Sequence, residues 1–256
     1  MNYKMIVTDL DATLLHKDKS VSDYTLQVLR TCQEKGLKIA IASARMWISV
    51  KDIAEKIHSD GVVTVNGAMT KVGDWEVYEP LNREILKLFV EKVKREIHNP
   101  KITMFVDDSK AYANWDFSVP WLSEVTYHDF SEIPEGNVTK MMVVRKAPGV
   151  DETLARIVPD GIYLSRCGKR QCQMMDVRAT KWQGVCKLAE HWGISSEEII
   201  CFGDDFDDIN MIENCGHGVA MANAIPEVLA VAKNVTEFSN DEDGVARYLE
   251  KLLKNA

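Results

Sequence analysis

The chain opens with an alternation that few architectures accommodate. Short apolar runs at 5–8, 37–42 and 62–65 are separated by amphipathic segments at 25–35 and 47–58. Buried strands joined by crossover helices produce this β-α-β-α-β rhythm, and with it a parallel sheet. Gly36 stands where the first helix would end, and Gly61 stands just before a strand. After Pro80 the character changes. Residues 82–97 read as one helix, followed by candidate strands at 102–106, 112–114, 140–144 and 173–176, which is an α+β pattern. From Lys181 the first rhythm returns: helix 181–192, strand 199–203, helix 207–214, strand 218–220, then helices 226–231 and 244–254. A discontinuous Rossmann-like α/β core, 1–81 and 178–256, interrupted by an α+β insert at 82–177, explains this order better than two domains in tandem.

A chain of 256 residues with 46% hydrophobic content is long enough to bury two separate cores. A formal net charge of -8 leaves no general basic field for nucleic acid or an anionic membrane surface. Six cysteines without a pair of CxxC motifs read as mostly buried free thiols. No uncharged apolar stretch reaches the ~18 residues of a membrane span, so a soluble cytoplasmic monomer or homodimer is expected.

Two strands run straight into carboxylates. The first is Met5-Ile6-Val7-Thr8-Asp9-Leu10-Asp11. In open parallel sheets ligands bind beyond the carboxyl ends of the strands, and residues two apart can point the same way. A lone DxD is equally compatible with a turn cap beside a solvated acid. The second is Cys201-Phe202-Gly203-Asp204-Asp205-Phe206-Asp207-Asp208, with four acids in five residues. If packed, such a cluster needs protonation or a cation, and a hard divalent ion such as Mg2+ suits carboxylate oxygens. If unpacked, it is a solvated acidic loop. A third strand ends in Ser43-Ala44-Arg45, whose hydroxyl and N–H groups suit a phosphoryl oxygen or a helix cap. Lys181 opens the returning helix, where a lysine is either a surface charge or a partner for these acids.

The order DLDATLL, IASAR, a lysine before an amphipathic helix, then GDDFDD, resembles the four motifs of the haloacid dehalogenase superfamily. Val65-Asn66-Gly67-Ala68, the 218–224 segment GVAMANA and the 239–245 segment SNDEDGV resemble further signatures of its Cof-type (IIB) branch. The resemblance implies a core of that fold with a C2B-type cap, and a Mg2+-dependent phosphatase acting on a small phosphorylated metabolite. It implies Asp9 as nucleophile and Asp11 as acid and base. The metal would be held by the Asp9 carboxylate, the Asp11 backbone carbonyl and Asp204, with Asp208 supporting its waters or Lys181. The Leu10 backbone, Ser43, the Ala44 N–H and Lys181 would bind phosphoryl oxygens, and Arg45 would contact substrate.

Three positions depart from the family pattern. Ala12 replaces a glycine, which strains the turn if its φ is positive. Asp207 replaces an asparagine at the phosphate, turning a donor into an acceptor. Val177-Arg178-Ala179-Thr180 replaces the usual approach to the lysine. Ala12 and Asp207 keep in view a non-catalytic phosphate-binding protein, and a phosphosugar mutase of the same superfamily stays an alternative because it would use the same aspartyl-phosphate. Within the insert, the 112–117 segment YANWDF and the 166–171 segment RCGKRQ offer the apolar faces and donors expected of a substrate-selecting region.

Overall fold

The computed structural model describes residues 3–254 apart from 108, 123, 147, 168 and 169. Along the chain come β1 (Met5–Thr8), α1 (Asp23–Glu34), β2 (Lys38–Ala42), α2 (Lys51–Lys56), β3 (Gly61–Thr64), β4 (Met69–Val72) and β5 (Trp75–Tyr78). Next are α3 (Arg83–Glu96), β6 (Ile102–Val106), β7 (Lys110–Ala113), β8 (Thr126–Tyr127), β9 (Val138–Val144), α4 (Val150–Ile157), β10 (Ile162–Cys167) and β11 (Gln171–Asp176). The chain finishes with α5 (Lys181–Trp192), β12 (Ile199–Gly203), α6 (Ile209–Asn214), β13 (His217–Ala220), α7 (Pro226–Val231), β14 (Asn234–Val235) and α8 (Gly244–Lys254).

Two compact units result, one comprising Met1–Arg45, Val50–Val77 and Thr180–Ala256, the other Met46–Ser49 and Tyr78–Ala179. The first is built on a sheet of order β14-β13-β12-β1-β2-β3-β4-β5. Pairing is parallel from β14 to β3 and turns antiparallel at β3–β4. Every residue of β1 and β12 is buried, so neither strand shows the alternation of a half-exposed one. Met5, Val7, Ala40, Ala42, Ile199 and Cys201 form one face, packed with Val185 and Leu188 of α5 and Met211 of α6. The opposite face includes Phe202, whose ring meets Tyr248 of α8 at 5.6 Å. The chain leaves β1 toward β2 on one side and returns at β12 on the other, which makes the β1 edge a topological switch point.

The second unit is an α+β layer. Its sheet runs β10-β11-β9-β6-β7-β8 and is antiparallel except at β7–β8. Leu86, Phe89, Val90 and Val93 of α3 follow helical spacing into a core shared with Leu154 of α4 and with Ile102, Met104, Met141 and Met174 of the sheet. Asn82 starts α3 by accepting hydrogen bonds from the N–H groups of Glu84 and Ile85.

Two expected helices are shorter than the sequence indicates. The 47–58 segment divides into a 3-10 turn at Trp47–Ser49 followed by α2. The helix expected from Asp207 begins at Ile209, because Phe206–Asp208 is a 3-10 turn closed by the Asp208 carboxylate. Cys32, Cys172, Cys201 and Cys215 are buried free thiols. Among the described residues, no helix is long and apolar enough to cross a membrane.

Candidate active site

Parallel register brings three loops to one place. Thr8, the last residue of β1, lies level with Ile41 of β2 and Phe202 of β12, so the chain leaves all three strands side by side. Asp9 follows immediately, its N–H donating to the Phe202 carbonyl at 3.0 Å. Asp204 leaves β12 beside it and Ser43 leaves β2.

Lys181 enters this edge from the first turn of α5, which Thr180 caps by accepting from the Gln183 N–H. A Cβ on Gly67 would lie 2.0 Å from the Thr180 carbonyl oxygen, so only glycine lets the 65–67 turn bear directly on this helix start. The Lys181 ammonium donates to Asp9 Oδ1 at 2.7 Å and Asp208 Oδ1 at 2.6 Å. All three side chains are buried, with Asp208 fully inaccessible. Asp208 Oδ2 accepts the N–H groups of Asp204 and Asp205 at 2.9 and 3.1 Å. That fold-back passes so close to Gly203 that a Cβ there would sit 2.4 Å from Asp208 Cβ. Thr13 donates to Asp204 Oδ1 at 2.7 Å, tying the first acidic loop to the second.

One oxygen from each of Asp9, Asp204 and Asp208 lies within 4.8 Å of the others. Two ionised carboxylates at that spacing repel by about 3 kcal/mol at an effective dielectric of about 20, and one ammonium cannot neutralise three of them. The titration reflects this. Burial pushes Asp9 up to about 8, with Lys181 opposing and Asp208 and Asp204 reinforcing. Burial also raises Asp204 to about 6, against the Thr13 hydrogen bond and with Asp208 adding to the rise. For Lys181, burial favours the neutral amine, but the Asp208 and Asp9 carboxylates outweigh it and hold the ammonium charged. A buried set of hard oxygens carrying more negative charge than Lys181 can neutralise is what a divalent cation requires. Asp208 spends both oxygens on Lys181 and the backbone, whereas Asp9 and Asp204 each spend one on the bonds above.

Asp11 has different surroundings. The Arg45 guanidinium grips it through two hydrogen bonds of 2.7 Å, and Lys19 adds a third at 2.6 Å. Burial works against ionisation, but the Arg45 and Lys19 bonds prevail and take its pKa down to about 2. Asp9 and Asp11, two residues apart, are therefore driven in opposite directions. Arg45, expected at the substrate, here holds Asp11. Ser43 is buried and caps no helix; its Oγ accepts the Arg45 N–H at 3.2 Å. Ala44, next along that loop, is exposed. The Leu10 carbonyl accepts the N–H groups of Thr13 and Leu15. Asp207 accepts a 2.6 Å bond from the Asn66 amide. Ala12 has φ 58, so the conditional strain foreseen at this position is present.

Thr13, Lys19 and Asn66 make these contacts without having been singled out from sequence. Thr13 and Asn66 sit inside recognisable motifs, but their partners lie 191 and 141 residues away. Lys19 carried no signal.

The family model described as haloacid dehalogenase-like hydrolase matches residues 6–249. The chain belongs to that family, and to its Cof-type branch. A putative phosphatase of Bacillus subtilis, YxeH, is 30% identical with 98% of each chain covered. A 5-amino-6-(5-phospho-D-ribitylamino)uracil phosphatase of the same organism, YitU, is 28% identical with 96% of each covered. The solved structure of the HAD subclass IIB sugar phosphatase BT4131 superposes with TM-score 0.80 at 25% identity, covering 97% of this chain and 98% of that one. The protein is accordingly an enzyme, a hydrolase of the phosphatase type in this superfamily.

Proposed function

We propose that this protein is a Mg2+-dependent phosphatase that hydrolyses small phosphorylated metabolites, sugar or polyol phosphates and phosphorylated cofactors, through an aspartyl-phosphate on Asp9. The observation that carries the reading is geometric: Asp9, Asp204 and Asp208 converge beside the Lys181 ammonium at the carboxyl end of β1, and Asp11, two residues on, is paired with Arg45 and Lys19. A divalent cation and Lys181 together would hold Asp9 as the anion that attack on phosphorus requires, and Asp11, outside that cluster, is left to move protons.

The cation would be held by the carboxylates of Asp9 and Asp204 with the Asp11 main-chain carbonyl, while Asp208 fixes Lys181 and the loop. When bound, it lets an anionic nucleophile meet an anionic phosphate. In the first step an Asp9 oxygen forms a bond to phosphorus as the ester oxygen–phosphorus bond breaks, and Asp11 gives its proton to the departing alkoxide. In the second, Asp11 takes a proton from water as that water attacks phosphorus, and the bond to Asp9 breaks to release inorganic phosphate. Asp11 must therefore gain a proton before the first step. An arriving phosphate dianion promotes this by repelling the Asp11 charge and by competing for Arg45 and Lys19. Lys181, Ser43 and the N–H groups of Leu10 and Ala44 bind the transferring oxygens, so that most of the catalysis is positioning and charge stabilisation.

We assign substrate choice to the insert at 82–177, because every residue given a role in phosphoryl transfer lies outside it. Of its two candidate segments, Trp115 donates to Thr103 Oγ1 at 3.1 Å and is engaged in that unit's own packing. Arg166 reaches Asp151, Arg170 is exposed, and Lys169 lies outside the described residues. The test is phosphate release from a panel of sugar, polyol, nucleotide and cofactor phosphates, with Mg2+ and with EDTA. Metal-dependent release from small phosphoesters is expected. Isomerisation without release would indicate a mutase, and binding without turnover a non-catalytic protein.

A further inference from the structure

The turn that carries the two acids is held by a part of the chain to which the chemistry gives no role. Ala12 stands at φ 58, the left-handed region that disfavours any residue with a Cβ. Local bonds from Thr13 and Leu15 to the Leu10 carbonyl fold the turn, but they do not engage the Ala12 carbonyl that this conformation redirects. Asn223 does, donating its Nδ2 to the Ala12 oxygen at 2.8 Å. The other end of the Asn223 amide, Oδ1, accepts the Asn240 N–H at 3.0 Å. Asn240, itself buried, donates its own Nδ2 to the Leu15 carbonyl at 2.7 Å. Two amides thus form one continuous chain of hydrogen bonds that grips the carbonyls on either side of Thr13 and Leu14. Just outside it, Asp241 accepts the Lys17 N–H at 2.8 Å and Asp243 accepts from His16 at 3.0 Å.

We propose that Asn223 and Asn240 are positioning residues, a latch that holds the 10–15 turn in the conformation that presents Asp9 and Asp11, against the backbone strain at Ala12. Neither touches the reacting groups. Their effect on turnover runs through the main chain and rests on the phosphatase reading above. A glycine at position 12 adopts positive φ without penalty, so the latch matters less when Ala12 is replaced by glycine. This coupling separates a latch from ordinary surface hydrogen bonds.

The test uses the whole chain with Asn223→Asp, which keeps the acceptor for Asn240 but sets an oxygen against the Ala12 carbonyl. Asn223 is exposed, so this variant is expected to fold; Asn240→Ala is the buried counterpart. Two quantities are read: amide hydrogen exchange across residues 10–15, and kcat and KM with p-nitrophenyl phosphate. Exchange is expected to rise and kcat to fall, each roughly tenfold, with KM little changed, and Ala12→Gly added to Asn223→Asp recovers most of both. Unchanged exchange in Asn223→Asp, faster exchange with unchanged kcat, or no recovery when Ala12→Gly is added would each overturn the proposal. Exchange needs no turnover. Faster exchange that Ala12→Gly reverses, in a protein that hydrolyses no phosphoester, would refute the phosphatase reading and leave the latch standing.

Discussion

Ala12 and Asp207 depart from the family pattern, and each meets a structural response. The φ of 58 at Ala12 costs about 1–2 kcal/mol relative to an unstrained residue. Replacing it with glycine relieves that cost but loosens the unfolded chain, for a net gain of about 0.5–1 kcal/mol. Ala12→Gly should therefore raise Tm measurably in a thermal melt, and an unchanged or lower Tm would show that the turn carries no strain. At Asp207, the Asn66 amide supplies a donor to a carboxylate that, in the proposed reading, lies beside the substrate phosphate. Asp207→Asn is expected to lower KM roughly two- to fivefold with little loss of kcat, and Asn66→Ala to raise KM by exposing the charge. A fall in kcat on Asp207→Asn would instead mark Asp207 as a needed proton-handling or metal-binding group.

At the scale of elements, the site is a property of strand ends. The carboxylates were legible because each terminates a run buried on both faces, β1 and β12, and parallel pairing sets those ends level. Contacts that depend on long-range approach were not legible, since nothing in DLDATLL indicates that Thr13 will reach Asp204. The β4–β5 hairpin was not legible because Met69-Thr70-Lys71-Val72 does not alternate, whereas α4 carries a signal in the helical spacing of Val150, Leu154 and Ile157. The crowding of acids at these ends has a pH signature. Asp9 and Asp204 bind protons more tightly folded than unfolded, so their contribution to stability is complete below the ordinary carboxylate range near 3.8. It is lost as pH rises through about 6 for Asp204 and about 8 for Asp9. The chelated protein should melt at lower temperature as pH rises across that window, and Mg2+ should reverse the loss most at the alkaline end. A Mg2+ effect on Tm that is independent of pH would contradict a cation held by these carboxylates.

Across the whole molecule, the chain passes from the first compact unit to the second at Tyr78 and back at Thr180, with Met46–Ser49 also belonging to the second. The residues proposed above for phosphoryl transfer all lie in the first unit. Substrate preference is therefore expected to be separable from chemistry. Arg170→Ala, at an exposed position of the second unit, should change the ratio of kcat/KM between a sugar phosphate and a bulkier cofactor phosphate, while p-nitrophenyl phosphate hydrolysis stays within about twofold. An equal fall for every substrate would remove Arg170 from substrate selection.

The central claim is that Asp9 takes the phosphoryl group. Rapid acid quench of the enzyme during turnover with Mg2+ and excess phosphoester, followed by peptide mass spectrometry, tests it directly. The account predicts a phosphoryl adduct on the peptide containing Asp9, absent from Asp9→Asn together with nearly all turnover. An adduct on another residue, or an Asp9→Asn variant that turns over like the parent, would contradict it.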